Sequence, residues 1–140
     1  MMRHVLLILA FFILGCSMKE EYVTEDRVLG LYKRDCYDQE EFLCVKADHT
    51  YEYFTKGGSV PEILSKGKWD FTLMNGKSIF GLDSFNYSMP LKKYLKSGGH
   101  SMPVKYSHNR KAILLRMDAD EYSRDFIRID SASCEVKNPE

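Results

Sequence analysis

The stretch of sequence that decides the fold is residues 67–85, which read GKWDFTLMNGKSIFGLDSF. In its first half apolar and polar residues alternate, so Trp69, Phe71 and Leu73 fall on one side of a strand with one buried face. Asn75-Gly76 follows at once. Asn-Gly between two alternating runs is a strong hairpin signal, because both positions of a type I′ turn need a positive φ. The stretch therefore predicts an antiparallel β-hairpin.

The same two-residue period recurs along the rest of the chain. Turn signals near residues 48–50, 109–110 and 118–121 separate further short runs. Eight strands are predicted, at 28–34, 42–47, 51–55, 67–73, 77–85, 104–108, 112–118 and 124–130. We expect an all-β domain formed by one antiparallel up-and-down meander, closed into a barrel. A β-sandwich is the alternative, because strand count and alternation do not separate the two.

The long connection at 86–103 interrupts the meander. It contains the only helical pattern of the chain, at residues 91–97, and it ends the run of short turns. Its centre is basic and partly apolar: Lys92, Lys93, Tyr94, Leu95 and Lys96. We expect this loop to be a contact surface for a partner; the alternative is a solvated loop over one end of the barrel.

Composition excludes several classes of protein. Hydrophobic residues make up 44% of the 140 residues and charged residues 29%, as in a folded globular domain. Lys plus Arg equals Asp plus Glu at 20 each, so the chain lacks the basic excess typical of nucleic-acid binding. No nucleic-acid partner is expected.

The first 16 residues read MMRHVLLILAFFILGC. A short positive start and ten apolar residues are typical of a secretory signal, and too short for a membrane-spanning helix. The ending Leu14-Gly15-Cys16 resembles the lipobox of bacterial lipoproteins. The resemblance implies that residues 1–15 are removed, that Cys16 carries the acyl chains, palmitate among them, and that the protein is anchored in the cell envelope. Ser17 implies the outer membrane, facing the periplasm, if the host is Gram-negative.

The organisation predicted for the remainder is simple. Residues 16–27 are polar after the cysteine and are interpreted as the lipid anchor and a tether. Residues 28–133 form the β domain, and 134–140 form a C-terminal tail.

Three short motifs are similar to the lipocalin-like superfamily. Gly30-Leu31-Tyr32 stands where these proteins have Gly-x-Trp, residues 43–51 resemble their second hairpin, and Gly67-Lys68-Trp69 resembles the opening of their fourth strand. The resemblance implies an eight-stranded barrel. The inward side chains of such a barrel line any cavity that it has, and the set expected here is Tyr51, Tyr53, Trp69, Phe71 and Leu114. Aromatic residues at these positions also serve as plain core filling.

No catalytic constellation is recognisable. The sequence lacks a Gly-x-Ser-x-Gly elbow, a phosphate-binding glycine loop and a His-Glu-x-x-His helix. His100 and His108 have no ligand spacing. We therefore expect no enzyme activity, no cofactor and no bound metal.

Three cysteines follow Cys16, and an extracytoplasmic address permits a disulfide. Cys36 and Cys44 flank the first connection between strands, which favours their pairing. Cys134 in the tail is the alternative partner of either.

These features favour the first of two functions, and the second is the alternative. The first is a non-enzymatic binding lipoprotein that holds a small apolar ligand or lipid in its barrel. The second is a protein-binding envelope lipoprotein of the inhibitor or immunity type.

Overall fold

A computed structural model describes residues 22–36, 39–56, 61–88, 95–96, 99–116, 125–131 and 133–134. Within these residues, a short 3₁₀ helix, Glu25–Val28, precedes ten strands. The strands are β1 (Gly30–Cys36), β2 (Gln39–Val45), β3 (Thr50–Thr55), β4 (Glu62–Met74), β5 (Lys77–Leu82), β6 (Tyr87–Ser88), β7 (Leu95–Lys96), β8 (His100–Ser107), β9 (Ala112–Leu115) and β10 (Phe126–Asp130).

Eight of these strands form one closed antiparallel barrel in the order β1-β10-β9-β8-β5-β4-β3-β2. Each strand pairs with the strands before and after it along the meander, and β10 pairs with β1 to close the ring. The predicted up-and-down barrel is confirmed, and the sandwich is excluded because its two sheets would have free edges.

The hairpin predicted from Asn75-Gly76 is also confirmed. Asn75 has φ 51° and Gly76 has φ 71°, and the ladder runs from Met74 opposite Lys77 to Trp69 opposite Leu82. β4 begins earlier than predicted, at Glu62, because residues 62–68 pair with β3.

The long connection contains a second, two-stranded sheet. β6 and β7 pair with each other, so Leu95–Lys96 is extended and does not continue the helical pattern predicted at 91–97. A cross-strand partner at 87–88, which the local pattern does not reveal, determines this conformation. Lys92, Lys93 and Tyr94 lie outside the described residues.

The barrel has two different ends. The β2–β3, β4–β5 and β8–β9 turns lie at one end, together with the entry of the chain into β1; we call this the turn end. The β1–β2, β3–β4, β5–β8 and β9–β10 connections lie at the other, which we call the loop end. The connection at 83–99 therefore leaves from and returns to the loop end.

Residues 22–28, before β1, belong to the folded unit, so residues 22–27 of the tether predicted over 16–27 are not a free linker. Val23 and Val28 are buried in the barrel core. The Ser78 hydroxyl donates a hydrogen bond to the carbonyl of Val23 (2.8 Å), and Tyr32 donates one to that of Val28 (2.7 Å). The average polarity of residues 16–27 concealed Val23, which is buried together with Val28 near the turn end. Cys16 itself lies outside the described residues.

A smaller apolar cluster lies on the outer face of the barrel, where Leu31, Phe42, Cys44 and Phe54 pack with Cys134. Cys44 and Cys134 form a disulfide, with their Cα atoms 5.3 Å apart. The residue that begins the predicted tail is therefore bonded to β2.

The favoured Cys36–Cys44 pairing is wrong. Cys36 is opposite Gln39 and Cys44 is opposite Leu31 in the β1–β2 ladder. Five ladder positions, about 16 Å, separate the two cysteines, whereas a disulfide needs Cα atoms within about 7 Å. Cys36 and Cys44 are therefore close in sequence but far apart in the β1–β2 hairpin.

Candidate functional site

Four of the five residues predicted to line a ligand site face the interior of the barrel. Tyr51, Tyr53 and Trp69 are buried in the core cluster, and Phe71 packs against that cluster while half-buried. The prediction for Leu114 is wrong. Its neighbours Ile113 and Leu115 are fully buried in the core, so the alternation of the strand turns Leu114 to the outer face.

The inward aromatic residues pack against one another. The Trp69 and Phe80 rings stack with centroids 5.6 Å apart. Phe85 lies against Tyr53 at 4.9 Å and against Tyr51 at 6.0 Å. Several buried aromatic members of the cluster were not predicted; among the described residues these members are Tyr32, Tyr51, Tyr53, Trp69, Phe80, Phe85 and Phe126.

The polar atoms of Tyr32, Tyr51 and Trp69 bond to the protein's own backbone. Tyr51 donates to the carbonyl of Asp83 (2.6 Å), and the Trp69 indole donates to that of Lys46 (2.8 Å). Burial raises the pKa of the Tyr32 hydroxyl well above its ordinary value, against the opposing charge of Arg128. These groups therefore remain neutral and serve the fold, because their donors are already used.

A buried ion pair crosses the interior near the loop end. Arg34 and Glu41 face each other in the β1–β2 ladder, are 2% and 1% exposed, and are bonded through Nε and Oε2. Arg34 also donates from Nη2 to the Tyr53 hydroxyl (3.2 Å), and its guanidinium lies 4.8 Å from the Phe126 ring centroid. The carboxylate, the hydroxyl and the ring face are the partners that compensate for burying the guanidinium.

Sequence reasoning missed this pair, although one signal was available. Arg34 is two residues after the inward-facing Tyr32 in β1, and Glu41 is two residues before the inward-facing Leu43 in β2. Alternation alone would have turned both charges inward. Charged residues are almost never fully buried unless paired, and the sequence alone does not reveal that these two face each other.

The start of the long connection is fixed to the barrel wall. Ser65 donates to the carbonyl of Ser84 (3.0 Å) and accepts from the backbone amide of Asn86 (3.3 Å). Phe85 between them is 1% exposed. The contact loop predicted at 92–96 thus begins from a fixed point; of its members, the structure describes only the backbone of Leu95–Lys96.

No protein-family model, curated protein or solved structure matches this chain.

Two further findings concern metals and membranes. Within the described ranges, no group of three or more His, Cys, Asp or Glu side chains is placed to hold a metal ion. His100 is the first residue of β8, and His108 follows its last residue. The two histidines are therefore about 26 Å apart along the extended strand. The part of the chain that the structure describes also contains no helix long and apolar enough to cross a membrane.

Proposed function

We propose that this chain is a lipid-anchored lipoprotein of the cell envelope that binds a protein partner with the loop end of its barrel, without catalysis. The observation that supports this proposal is the filled interior. Aromatic side chains occupy it from the 3₁₀ helix at the turn end to the Arg34–Glu41 pair near the loop end. A binding surface is then to be sought on the outside of the barrel.

The loop end is the surface that we propose. Because the chain enters the barrel at the turn end, an anchor at Cys16 leaves the opposite end accessible. The longest connection of the chain lies there and carries Lys92, Lys93 and Lys96. This composition suits an acidic patch on a secreted or envelope protein, and such binding weakens as salt rises.

A small apolar ligand inside the barrel is the second candidate, and the position of Phe85 is what favours it. Phe85 belongs to the connection rather than to β5, yet it fills the space between Tyr51 and Tyr53. Withdrawal of one side chain would open room for a ligand of modest size. That ligand would lie against the Arg34–Glu41 pair, which disfavours a purely apolar molecule.

Native mass spectrometry of the full chain, extracted from its own membrane, tests the two candidates. We expect a stoichiometric protein partner that is lost in the variant Lys92→Ser/Lys93→Ser/Lys96→Ser. The matched control is Lys66→Ser/Lys68→Ser/Lys105→Ser, which removes the same charge from exposed positions on strands β4 and β8. The control should retain the partner.

The opposite outcome is equally specific. A small-molecule adduct that survives in the triple-lysine variant and disappears in Trp69→Ala would replace the partner proposal by the ligand proposal. Membrane fractionation of Cys16→Ser tests the anchor separately: the wild-type chain should pellet with membranes and carry acyl mass, and the variant should do neither.

A further inference from the structure

We propose that the turn end of the barrel docks on the anionic phospholipid surface to which Cys16 is tethered, with the tip of the β4–β5 hairpin among the lipid head groups. This inference rests on the lipid anchor of the proposed function. It adds an orientation to the anchor: the barrel stands on its turn end rather than moving freely at the end of a tether.

The hairpin tip is apolar and exposed. Leu73 and Met74 are 61% and 57% exposed, and they lie on opposite faces of β4 immediately before the Asn75-Gly76 turn. Tyr22 is 54% exposed beside them, with its hydroxyl 3.4 Å from the position that a Cβ atom on Gly76 would occupy. A tyrosine next to aliphatic side chains is typical of a membrane–water interface, because its ring is apolar and its hydroxyl is hydrated.

The tip also projects from the barrel. β4 pairs with β3 only as far as Lys68, opposite Thr50, and from Trp69 onward the described residues give it β5 alone as a ladder partner. Leu73 lies on the same face of β4 as the inward residues Trp69 and Phe71. It is nevertheless exposed, because the ring of strands has ended on that side. The last part of the hairpin is therefore a two-stranded ribbon that reaches beyond the core.

The length of chain before the barrel keeps this ribbon near the bilayer. The carbonyl of Val23 accepts a hydrogen bond from Ser78, which fixes the entering chain beside the beginning of β5. Tyr22 is six residues from Cys16. Even fully extended, six residues span about 20 Å. An acylated Cys16 therefore holds the hairpin tip within that distance of the head groups.

Charge on the neighbouring hairpin matches an anionic surface. The β5–β8 ladder ends at Ile79 opposite Pro103, and both strands continue toward the turn end, where the β4–β5 and β8–β9 turns lie. Lys77, Arg110 and Lys111 are exposed there. The carboxylates of Glu25 and Asp48 belong instead to the side of the β2–β3 turn, where Glu25 lies 3.5 Å from His49. Basic side chains near apolar ones bind anionic membranes in two ways: the charges are attracted to the head groups, and the apolar side chains are buried among the lipids.

Photo-crosslinking in the native membrane tests the orientation. A photoreactive phenylalanine analogue replaces either Met74 or Ile63 in the full chain. Ile63 is the matched control, because it lies on the same strand, is also 57% exposed, and sits toward the loop end. We expect several-fold more phospholipid adduct at position 74 than at position 63, measured by mass spectrometry. The variant Lys77→Ser/Arg110→Ser/Lys111→Ser should lower that adduct, whereas Lys92→Ser/Lys93→Ser/Lys96→Ser, which removes the same charge from the connection at the loop end, should not.

The outcomes separate this inference from the anchor. Equal adduct at positions 74 and 63, on a chain with acyl mass at Cys16, overturns the docking and leaves the anchor standing. A chain without acyl mass overturns both. Far-UV circular dichroism and unfolding of each crosslinking variant, matched to wild type, exclude misfolding as the source of either result.

Discussion

At the scale of single residues, the most demanding feature is the pair of opposite charges inside the barrel. Arg34 and Glu41 are almost fully buried, and a hydrophobic pair of similar volume is often no less stable in such a place. Removal of one partner is different, because it leaves the other charge buried without its counterion.

We therefore predict that Arg34→Met lowers the free energy of unfolding by about 3 to 5 kcal/mol, because the Glu41 carboxylate loses its guanidinium. The double variant Arg34→Met/Glu41→Leu should recover most of that loss, since no buried charge then remains. Urea unfolding of wild type and both variants measures the two differences. A single variant as stable as wild type would mean that the pair is solvated in solution.

At the scale of secondary-structure elements, the β4–β5 hairpin depends on its turn. Gly76 has φ 71°, a region that costs a residue with a side chain about 1 to 2 kcal/mol. Gly76→Ala should therefore destabilise the domain by about 1 kcal/mol in thermal unfolding. Gly99→Ala is the control, because its new methyl group would lie an ordinary 3.9 Å from the Leu82 carbonyl oxygen. If both variants melt together, the turn conformation is not limiting.

The same element marks the boundary of what the sequence predicts. Asn75-Gly76 predicts the turn, and a two-residue turn fixes the register, so Phe80 opposite Phe71 follows from counting. Phe85 does not follow. Strict alternation after Leu82 would turn Phe85 outward. Ser84, however, has a positive φ of 48°, which breaks the alternation and lets Phe85 face the core. A positive φ at serine has no local sequence signal, so this part of the core was not predictable.

At the scale of the whole molecule, the eight-strand count and the meander were predictable because each strand pairs with its neighbour in sequence. The Cys44–Cys134 bond was not, because strand β10 brings residue 134 beside residue 44 only once the ring has closed. Alternation describes each strand and says nothing of which two distant segments meet. The filled interior has the same origin, since it depends on all eight strands together.

The disulfide itself gives the last prediction. It joins residues 90 apart, and closing a loop of that length in the unfolded chain is worth about 4 to 5 kcal/mol in the chain-entropy model. Cys134→Ser should lower the free energy of unfolding by an amount of that order in guanidinium titration. Cys36→Ser, outside the bond, should leave it unchanged. A reversed ranking would show that the oxidised pair in solution is Cys36–Cys44.

Closure of the ring between β1 and β10 also bears on the order in which the protein is made. A chain that emerges from its amino terminus exposes the free edge of β1 until residues 126–130 arrive to cover it. Cys44 has no disulfide partner in the closed ring until residue 134 follows. A product truncated anywhere before that residue lacks the native partner of Cys44, so the Cys44–Cys134 bond reports that synthesis reached the end of the barrel.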